Sequence, residues 1–301
     1  MTDDSPRALI YDIQRFCLHD GPGVRTTFFY KGCPLRCPWC SNPESISREP
    51  ELYFIGSKCV GCGECARACP GKRIVVRNGK AEIDRARCRR CFACAAACPT
   101  MALVRKGEWH TAEELVEKAL ADKPFYDESG GGITVSGGEP LLQADAAAAF
   151  LRQARRAGLR TAMETCGLAS RSALEKVLPH CDLIYMDVKH PDSLRHQEIV
   201  GSPNDAILGN LRFLAGRDVR LVVRIPLIPG YNLDAATIGA YADLLVPLRV
   251  KVEALPFHRL GKNKYASVGK EYALGDEKPP DEATIARVVG ALAGAGLEVT
   301  R

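Results

Sequence analysis

The stretch GITVSGGEP at residues 132–140, followed by ADAAAAFLRQARRAG at residues 144–158, decides the fold class. The first segment is a short β-branched run that ends in glycines, which is typical of a strand. The second is rich in alanine and stops at a glycine, which predicts a helix. A strand followed directly by a helix is the unit from which parallel sheets are built. We therefore expect a βα unit at this point of the chain.

The same alternation continues in both directions. Downstream, the strand-like segments are LRTAMET, DLIYMDV, VRLVVRIPLI and RVKVEALPF, and the helix-like segments are SRSALEKVL, AILGNLRFLAG, AATIGAYADLL and DEATIARVVGALAGAG. Upstream, RTTFFYKG at residues 25–32 adds one more strand, and HTAEELVEKAL at residues 110–120 adds a helix. Six βα units predict an α/β fold with a parallel sheet and right-handed crossovers, here a partial (β/α)6 TIM-type barrel.

Polar or metal-binding residues follow the carboxyl end of every predicted strand. These segments are the cysteines of KGCPLRCPWC, then SGGEP, ETCG, DVKH, RIP and FHRLGKNK. In parallel α/β barrels the active site is assembled at those ends of the strands. One polar strand end would only mark the start of a loop, but six of them predict one shared site.

The composition limits the class of protein. A chain of 301 residues buries enough surface to fold without disulfides or metals, so its 14 cysteines need another explanation. The first residues, MTDDSPRALIYDIQRF, lack the features of a signal peptide, and no apolar stretch approaches the roughly 20 residues of a membrane span. We expect a cytoplasmic protein with reduced thiols and no membrane partner. The net charge is +5 with the basic residues dispersed, which predicts no nucleic-acid partner.

Two copies of one cysteine pattern lie at residues 59–70 and 88–99. CVGCGECARACP and CRRCFACAAACP share the spacing Cys-x-x-Cys-x-x-Cys-x-x-x-Cys-Pro, which is the bacterial ferredoxin run. In that run the fourth cysteine ligates the cluster of the other copy. The predicted ligand sets are Cys59, Cys62, Cys65 and Cys98 for one 4Fe-4S cluster, and Cys88, Cys91, Cys94 and Cys69 for a second. Zinc is the weaker alternative, because zinc knuckles use two cysteine pairs per metal.

These two copies predict a second domain. We expect a ferredoxin-like (α+β) dicluster domain at residues 51–104, inserted between barrel segments 1–50 and 105–301. Glycine and alanine between the cysteines let backbone N–H groups approach the cluster sulfurs, which tunes the reduction potential.

A third cysteine group lies in KGCPLRCPWCSNPES at residues 31–45 and has only three members, Cys33, Cys37 and Cys40. Structural zinc sites and complete iron–sulfur clusters take four protein ligands. Three cysteines on a 4Fe-4S cubane leave one iron open, and an open metal position is what a catalytic site requires. The spacing therefore predicts a catalytic cluster.

The spacing, with Trp39 before the last cysteine, resembles the radical S-adenosylmethionine (SAM) superfamily. SGGEP at residues 136–140 is similar to the Gly-Gly-Glu motif of that superfamily, with glycines that approach the SAM amino group and Glu139 fixing the loop. The resemblance implies that the amino and carboxylate groups of SAM chelate the open iron. It also implies that one electron cleaves the sulfonium into methionine and a 5′-deoxyadenosyl radical.

FCLHDGPGVRTTFFYKGCPLRCPWCSNPES at residues 16–45 further resembles the glycyl radical enzyme activating enzymes, whose best-known member activates pyruvate formate-lyase. The similarity extends to ETCG, MDVKH, VRIPLIPGYN, LPFHRLGKNKY and KPP. It implies hydrogen abstraction from a backbone glycine of a partner glycyl radical enzyme. Because the pyruvate formate-lyase type lacks the insert, it implies a different partner, such as an eliminase or a decarboxylase. It also implies flavodoxin or ferredoxin as electron donor, and we expect the two added clusters to relay electrons.

The resemblance assigns further residues to the site. Those expected to contact SAM are Trp39, Ser136, Gly137, Gly138, Glu139, Glu164, Thr165, Asp187, Lys189, Arg224 and His258. Glu164, which replaces an aspartate of the family, and Asp187 are expected to hold sodium or potassium, together with the carbonyls of Thr165 and Tyr185. Arg224 could pair with the SAM carboxylate in bidentate geometry.

The loop HDGPGVR at residues 19–25 is expected to meet the partner enzyme. The residues assigned to that contact are Asp20, Gly21, Gly23 and Arg25. Cys17, Cys166 and Cys181 match no cluster spacing, and we expect them to be buried as small apolar side chains. Cys166 stands where the shorter members of the family carry an asparagine, so its exposure to the SAM pocket stays open.

Two other functions remain open from the sequence. One is a radical SAM enzyme that acts on a small molecule or matures a different peptide. The segments HDGPGVR and FHRLGKNK argue against this function, because they resemble the activating enzymes. The other is an electron-transfer ferredoxin fused to a binding module, which would not cleave SAM.

Overall fold

A computed structural model of the chain describes residues 5–301, so the first four residues of the predicted segment 1–50 lie outside it. The strands are β1 (Ala8–Cys17), β2 (Arg25–Tyr30), β3 (Glu51–Phe54), β4 (Ile74–Arg77), β5 (Lys80–Ile83), β6 (Leu103–Lys106), β7 (Glu108–His110), β8 (Gly132–Gly137), β9 (Thr161–Thr165), β10 (Leu183–Asp187), β11 (Arg220–Leu227), β12 (Lys251–Pro256) and β13 (Glu298–Thr300). The helices are α1 (Glu64–Arg67), α2 (Ala93–Ala96), α3 (Ala112–Leu120), α4 (Lys123–Ser129), α5 (Ala144–Arg156), α6 (Arg171–Val177), α7 (Ser193–Val200), α8 (Asp205–Ala215), α9 (Ala235–Leu245), α10 (Lys262–Ser267) and α11 (Glu282–Gly294).

One large sheet organises the fold. Its strand order is β13-β12-β11-β10-β9-β8-β2-β1-β7, and β2 and β8 to β12 are parallel neighbours. These six strands are the six that the sequence predicts, so the alternating pattern is confirmed as a mixed α/β fold with a large parallel sheet. The sheet is open, with β13 at one edge and β7 at the other.

Three strands of this sheet escape prediction from the sequence. β1 runs antiparallel to β2 and pairs with β7 along its first three residues. The first four residues of β1 are buried and the later six are half-buried or exposed, so the strand has no alternating pattern to detect. β7 and β13 have three residues each, which is too short for any periodicity.

Helices pack against the sheet through small and apolar residues. In α5, Ala146, Ala147 and Ala154 are buried, and Phe150 meets Phe28 of β2 edge to face at 4.7 Å between ring centres. Alanine on the buried face lets a helix lie close to the sheet, and the predicted alanine-rich helix therefore has a packing role. Among the described residues no helix is both long and apolar enough to cross a membrane.

The first predicted βα unit is interrupted. β2 is followed by the three-cysteine loop and then by residues 51–106 before the predicted helix appears as α3. The interrupting segment pairs β3 with β6 and β4 with β5, both antiparallel. This segment has a small core of its own, separate from that of the large sheet. In it, Leu52, Ile74 and Leu103 pack with Cys65 and Cys94.

The sequence repeat within this segment is also a repeat of backbone conformation. The residue before the second cysteine has a positive φ in both copies, +70° at Gly61 and +52° at Arg90. The residue after that cysteine does so too, +80° at Gly63 and +60° at Phe92. Left-handed residues of this kind turn neighbouring N–H groups into one concave surface, a common cradle for anions and iron–sulfur clusters.

Candidate active site at the carboxyl ends of the strands

A cavity of about 350 Å³ lies where the parallel strands end, within the usual size range of ligand sites. The strand register brings these ends together: Tyr30 lies opposite Gly137, and Asp187 lies opposite Arg224. The predicted residues that line the cavity are Cys33, Cys37, Trp39, Cys40, Ser136, Gly137, Gly138, Glu164, Thr165, Asp187, Lys189, Arg224 and His258. The structure therefore brings together residues from five strand ends and the three-cysteine loop.

Glu139 lies behind the cavity wall and is completely buried. Its carboxylate accepts hydrogen bonds from Leu141 N at 3.0 Å, Thr165 Oγ1 at 2.8 Å and Cys166 N at 2.8 Å. Three donors satisfy the buried charge and tie the loop after β8 to the end of β9. Glu139 thus fixes the local loop, without lining the cavity as a SAM contact would.

Gly138 allows the loop after β8 to touch the three-cysteine loop. A Cβ atom at this position would lie 2.2 Å from Gly32 O. Glu139 N donates a hydrogen bond to the same carbonyl at 2.8 Å. The close approach that the glycine pair permits is therefore one between two backbone segments, and it sets the position of the chain immediately before Cys33.

The three predicted cluster cysteines have different surroundings. Burial raises the pKa of Cys37 to about 12 and that of Cys40 to about 11. A hydrogen bond from Cys166 instead lowers the pKa of Cys33. The Cys40 sulfur also accepts a hydrogen bond from Asn42 N at 3.4 Å. Buried thiols become thiolates readily only beside positive charge, which bound iron supplies.

Lys189 supplies positive charge to the same cavity. Burial acts to lower the pKa of Lys189, but Asp187 and the thiol of Cys37 outweigh it and hold that pKa well above its ordinary value. Its Nζ atom lies 2.7 Å from Asp187 Oδ2. A permanent ammonium beside the cysteines favours the more negative, reduced state of any cluster that they hold.

We therefore expect Lys189→Gln to make the open cluster harder to reduce. The midpoint potential should fall by an amount on the order of tens of millivolts, because a nearby positive charge is lost in a partly buried site. A redox titration followed by electron paramagnetic resonance (EPR) measures it. Lys176→Gln is the matched control, since Lys176 pairs with Asp145 at 2.6 Å on the surface. Equal potentials in the two variants would contradict the electrostatic role of Lys189.

Cys166, whose exposure to the SAM pocket the sequence leaves open, lines the cavity. It is 5% exposed, as expected for an apolar role, and it packs in the same cluster as Cys33 and Cys37. Its own pKa is raised well above the ordinary value by the contact with Cys33 and by burial. The signal in the sequence was its position directly after β9, in ETCG.

Arg224 lines the cavity and already has partners within the chain, so its pairing with the SAM carboxylate stays a prediction. Its guanidinium forms ion pairs with Glu164 and, at 2.6 Å, with Glu253, and it donates to His19 O at 3.0 Å. It also stacks on the ring of Tyr185 at 3.7 Å. The guanidinium N–H groups of Arg224 are therefore already paired with carboxylates of the protein itself. Glu253 was missed because it lies inside β12, four residues before the polar segment FHRLGKNK that follows that strand.

The two residues predicted to hold a monovalent cation already have cationic partners. Glu164 pairs with Arg224 and accepts a hydrogen bond from Ser136 Oγ at 2.5 Å, while Asp187 pairs with Lys189. Within residues 5–301, no group of three or more His, Cys, Asp or Glu side chains converges as around a single metal ion. Both carboxylates line one cavity, and the cation site remains a prediction.

The predicted partner loop is anchored from within. Arg25 is only 2% exposed, and its guanidinium donates to Thr134 Oγ1 at 2.7 Å and to Ile133 O. Burial lowers its pKa to about 10. Asp20 accepts from Thr27 Oγ1 at 2.6 Å. Arg25 therefore holds the loop against the sheet, and its contact with a partner stays a prediction.

The two glycines of that loop allow it to lie close to the rest of the chain. Gly23 has a φ of +68°, and a Cβ atom there would lie 2.5 Å from Gly131 N. Gly21 has a φ of +131° and lies against the side chain of Arg25. Contact of the remaining loop surface with a partner stays a prediction.

Two further cavities gather the cysteines of the repeat. One is lined by Cys59, Cys62, Cys65 and Cys98, and the other by Cys69, Cys88, Cys91 and Cys94. These are the two predicted ligand sets, each with its fourth cysteine from the other copy. Backbone N–H groups donate to the sulfurs of Cys69 from Arg73 at 3.2 Å and of Cys88 from Arg90 at 3.4 Å. Four thiols with N–H donors fit an iron–sulfur cluster.

Known proteins are similar to this chain in sequence and in fold. The Radical SAM superfamily matches residues 27–238. The chain is 40% identical over 292 residues to the choline trimethylamine-lyase activating enzyme of Oleidesulfovibrio alaskensis, covering 94% of each chain. It is 41% identical over 305 residues to the benzylsuccinate synthase activating enzyme of Thauera aromatica, covering 97% of this chain and 92% of that protein. A radical SAM methyltransferase from Sphaerobacter thermophilus shares the fold at 15% identity, with a TM-score of 0.55 over 98% of this chain and 76% of that one.

Proposed function

Because the chain belongs to the radical SAM superfamily and, within it, to the glycyl radical enzyme activating enzymes, we propose that its three-cysteine cavity generates the radical that activates one partner enzyme. The observation that carries the proposal is the meeting of Cys33, Cys37 and Cys40 with five strand ends around one cavity. An enzyme of this kind cleaves SAM reductively and abstracts hydrogen from a backbone glycine of its protein substrate. Its other products are methionine and 5′-deoxyadenosine.

The residues have distinct tasks in this activity. Cys33, Cys37 and Cys40 would hold the 4Fe-4S cluster, which supplies a single electron and an open iron for SAM when bound. Lys189 places positive charge beside those thiolates, and Glu139 keeps the ends of β8 and β9 together. Trp39 lines the cavity and packs edge to face on Tyr231 at 5.6 Å between ring centres.

Residues 51–104 would form a ferredoxin-like dicluster domain, giving three 4Fe-4S clusters in all. Support comes from the two cavities with crossed cysteine sets and from the repeated left-handed residues. Segments 1–50 and 105–301 would then form the SAM-binding part. Its relation to a partial (β/α)6 barrel is supported by the six adjacent parallel strands.

We propose the electron donor and the bound cation by analogy with the family. A flavodoxin or ferredoxin would supply the electrons, and the added clusters would relay them. A sodium or potassium ion between Glu164 and Asp187 would require Arg224 and Lys189 to share those carboxylates with it. The two relatives activate enzymes other than pyruvate formate-lyase, so we place the partner among such enzymes, for example eliminases or decarboxylases.

The test is anaerobic incubation of the reconstituted protein with SAM, a reductant and candidate glycyl radical enzymes. We expect a glycyl EPR signal on one candidate, with 5′-deoxyadenosine and methionine formed alongside it. SAM cleavage without a glycyl radical on any candidate would favour a small-molecule or peptide-maturing radical SAM enzyme. No cleavage of SAM at all would favour the electron-transfer protein and overturn the proposal.

A further inference from the structure

The two cysteine sets of residues 51–104 differ in position relative to the active site. β3 starts beside the large sheet, where Glu51 pairs with Lys31 at 2.7 Å, directly after β2. Leu52, the next residue, lines the cavity of Cys69, Cys88, Cys91 and Cys94, which we call the inner set. Phe54, at the far end of β3, lines the cavity of Cys59, Cys62, Cys65 and Cys98, the outer set. The inner set therefore lies nearer the sheet.

A chain of hydrogen bonds connects the inner set to the catalytic cysteines. Arg85, three residues before Cys88, donates to Leu52 O at 2.6 Å and to Ser267 O at 2.7 Å. Ser267 ends α10, and Tyr265 of the same helix donates from its hydroxyl to Cys40 O at 3.1 Å. α10 is thus the element that bridges the inner set and the three-cysteine loop.

Both sets reach the surface, since Cys62 and Cys91 are exposed, but the outer set does so beside exposed apolar side chains. Cys62 is exposed, and Val60 and Val76, which line the same cavity, are 67% and 37% exposed. Large exposed apolar side chains around a redox site indicate a docking surface. Val75, the neighbour of Val76 on β4, is also exposed but lines neither cavity.

The charge of this segment indicates the kind of partner. Residues 51–104 hold 10 basic and 4 acidic residues, whereas the rest of the chain holds 31 and 32. The basic residues are therefore not dispersed, as the composition had suggested, but concentrated around the two sets. A basic surface with an apolar centre fits an acidic partner protein and speeds its association.

Resting on the proposed function, we propose a direction of electron flow. An acidic one-electron donor, a reduced flavin or iron–sulfur protein, docks at the outer set around Val60. The cluster that the inner set would hold would then pass electrons to the one that Cys33, Cys37 and Cys40 would hold, on the side where Arg85 and α10 join them. For each turnover the donor loses one electron, and that electron reduces the sulfonium of SAM as its carbon–sulfur bond breaks.

The order of the sets is tested with Cys62→Ala and Cys91→Ala, which occupy the same place in the two copies and are both exposed. In the chemically reduced protein, the catalytic cluster is broadened in EPR by its nearest paramagnetic neighbour. We expect Cys91→Ala to remove that broadening and Cys62→Ala to leave it. The reverse pattern would overturn the proposed order. This measurement needs no partner enzyme, so it stands or falls separately from the glycyl radical assay.

The docking site is tested by adding a negative charge beside the outer set in the intact protein. We expect Val60→Glu to raise the KM for an acidic flavodoxin about 10-fold and to leave reduction by dithionite unchanged, because like charges then oppose each other. Val75→Glu is the matched control and should change neither the KM for flavodoxin nor the rate of reduction by dithionite. If Arg89→Glu raises the KM and Val60→Glu does not, the donor docks beside the inner set and the proposal is wrong.

Discussion

Cys40→Ala should abolish SAM cleavage while leaving two of the three proposed clusters in place. Cys40 is one of three thiols for the catalytic cluster, and no fourth cysteine of that spacing exists to replace it. Iron content should fall from about 12 to about 8 atoms per chain, since each ferredoxin-type cluster keeps four cysteines. Iron analysis, EPR and chromatography of 5′-deoxyadenosine measure the result.

Cys181→Ala is the matched control for this prediction. Cys181 is buried in the large core, far in sequence from any cluster motif, so the variant should keep all its iron and its activity. Residual SAM cleavage in Cys40→Ala would mean that Cys166 substitutes as a ligand from its place in the cavity. The double variant Cys40→Ala, Cys166→Ala would then remove that activity.

The sequence predicts most of the parallel sheet because its central strands are largely buried and alternate with helices. β8 is a run of β-branched residues that ends at Gly137, and the helix after it is marked by a run of alanines. β1 lacks such a pattern, because its first four residues are buried and the later ones are half-buried or exposed. Elements at the edge of a sheet follow from their neighbours rather than from their own periodicity.

The residues of the candidate site are likewise only partly predictable from the sequence. Cysteine spacing indicates which residues share a metal, because ligand geometry restricts the spacing along the chain. It does not indicate what else the folded chain brings to them. Glu253 reaches Arg224 from inside a neighbouring strand, and Cys166 reaches Cys33 from the end of β9. Arg25 lies in a family motif, yet burial gives it an anchoring role that only the folded chain reveals.

Gly138→Ala should have the second-largest effect, through the backbone rather than through chemistry. The new Cβ atom would lie 2.2 Å from Gly32 O, so the loop after β8 and the three-cysteine loop would have to separate. The hydrogen bond from Glu139 N to that carbonyl would be strained as well. We expect a loss of about 3 kcal/mol in the free energy of unfolding, typical of severe overpacking. Denaturant unfolding of the apoprotein measures it.

The displaced loop carries Cys33, so Gly138→Ala should also fail to hold the catalytic cluster while both ferredoxin-type clusters assemble. Gly209→Ala is the control, since Gly209 lies in α8 with open space around its Cβ position and should gain up to about 1 kcal/mol. A Gly138→Ala variant with normal stability and a full iron content would show that the two loops can move apart freely. In that case the contact at Gly32 would not be what positions the catalytic cysteines against the strand ends.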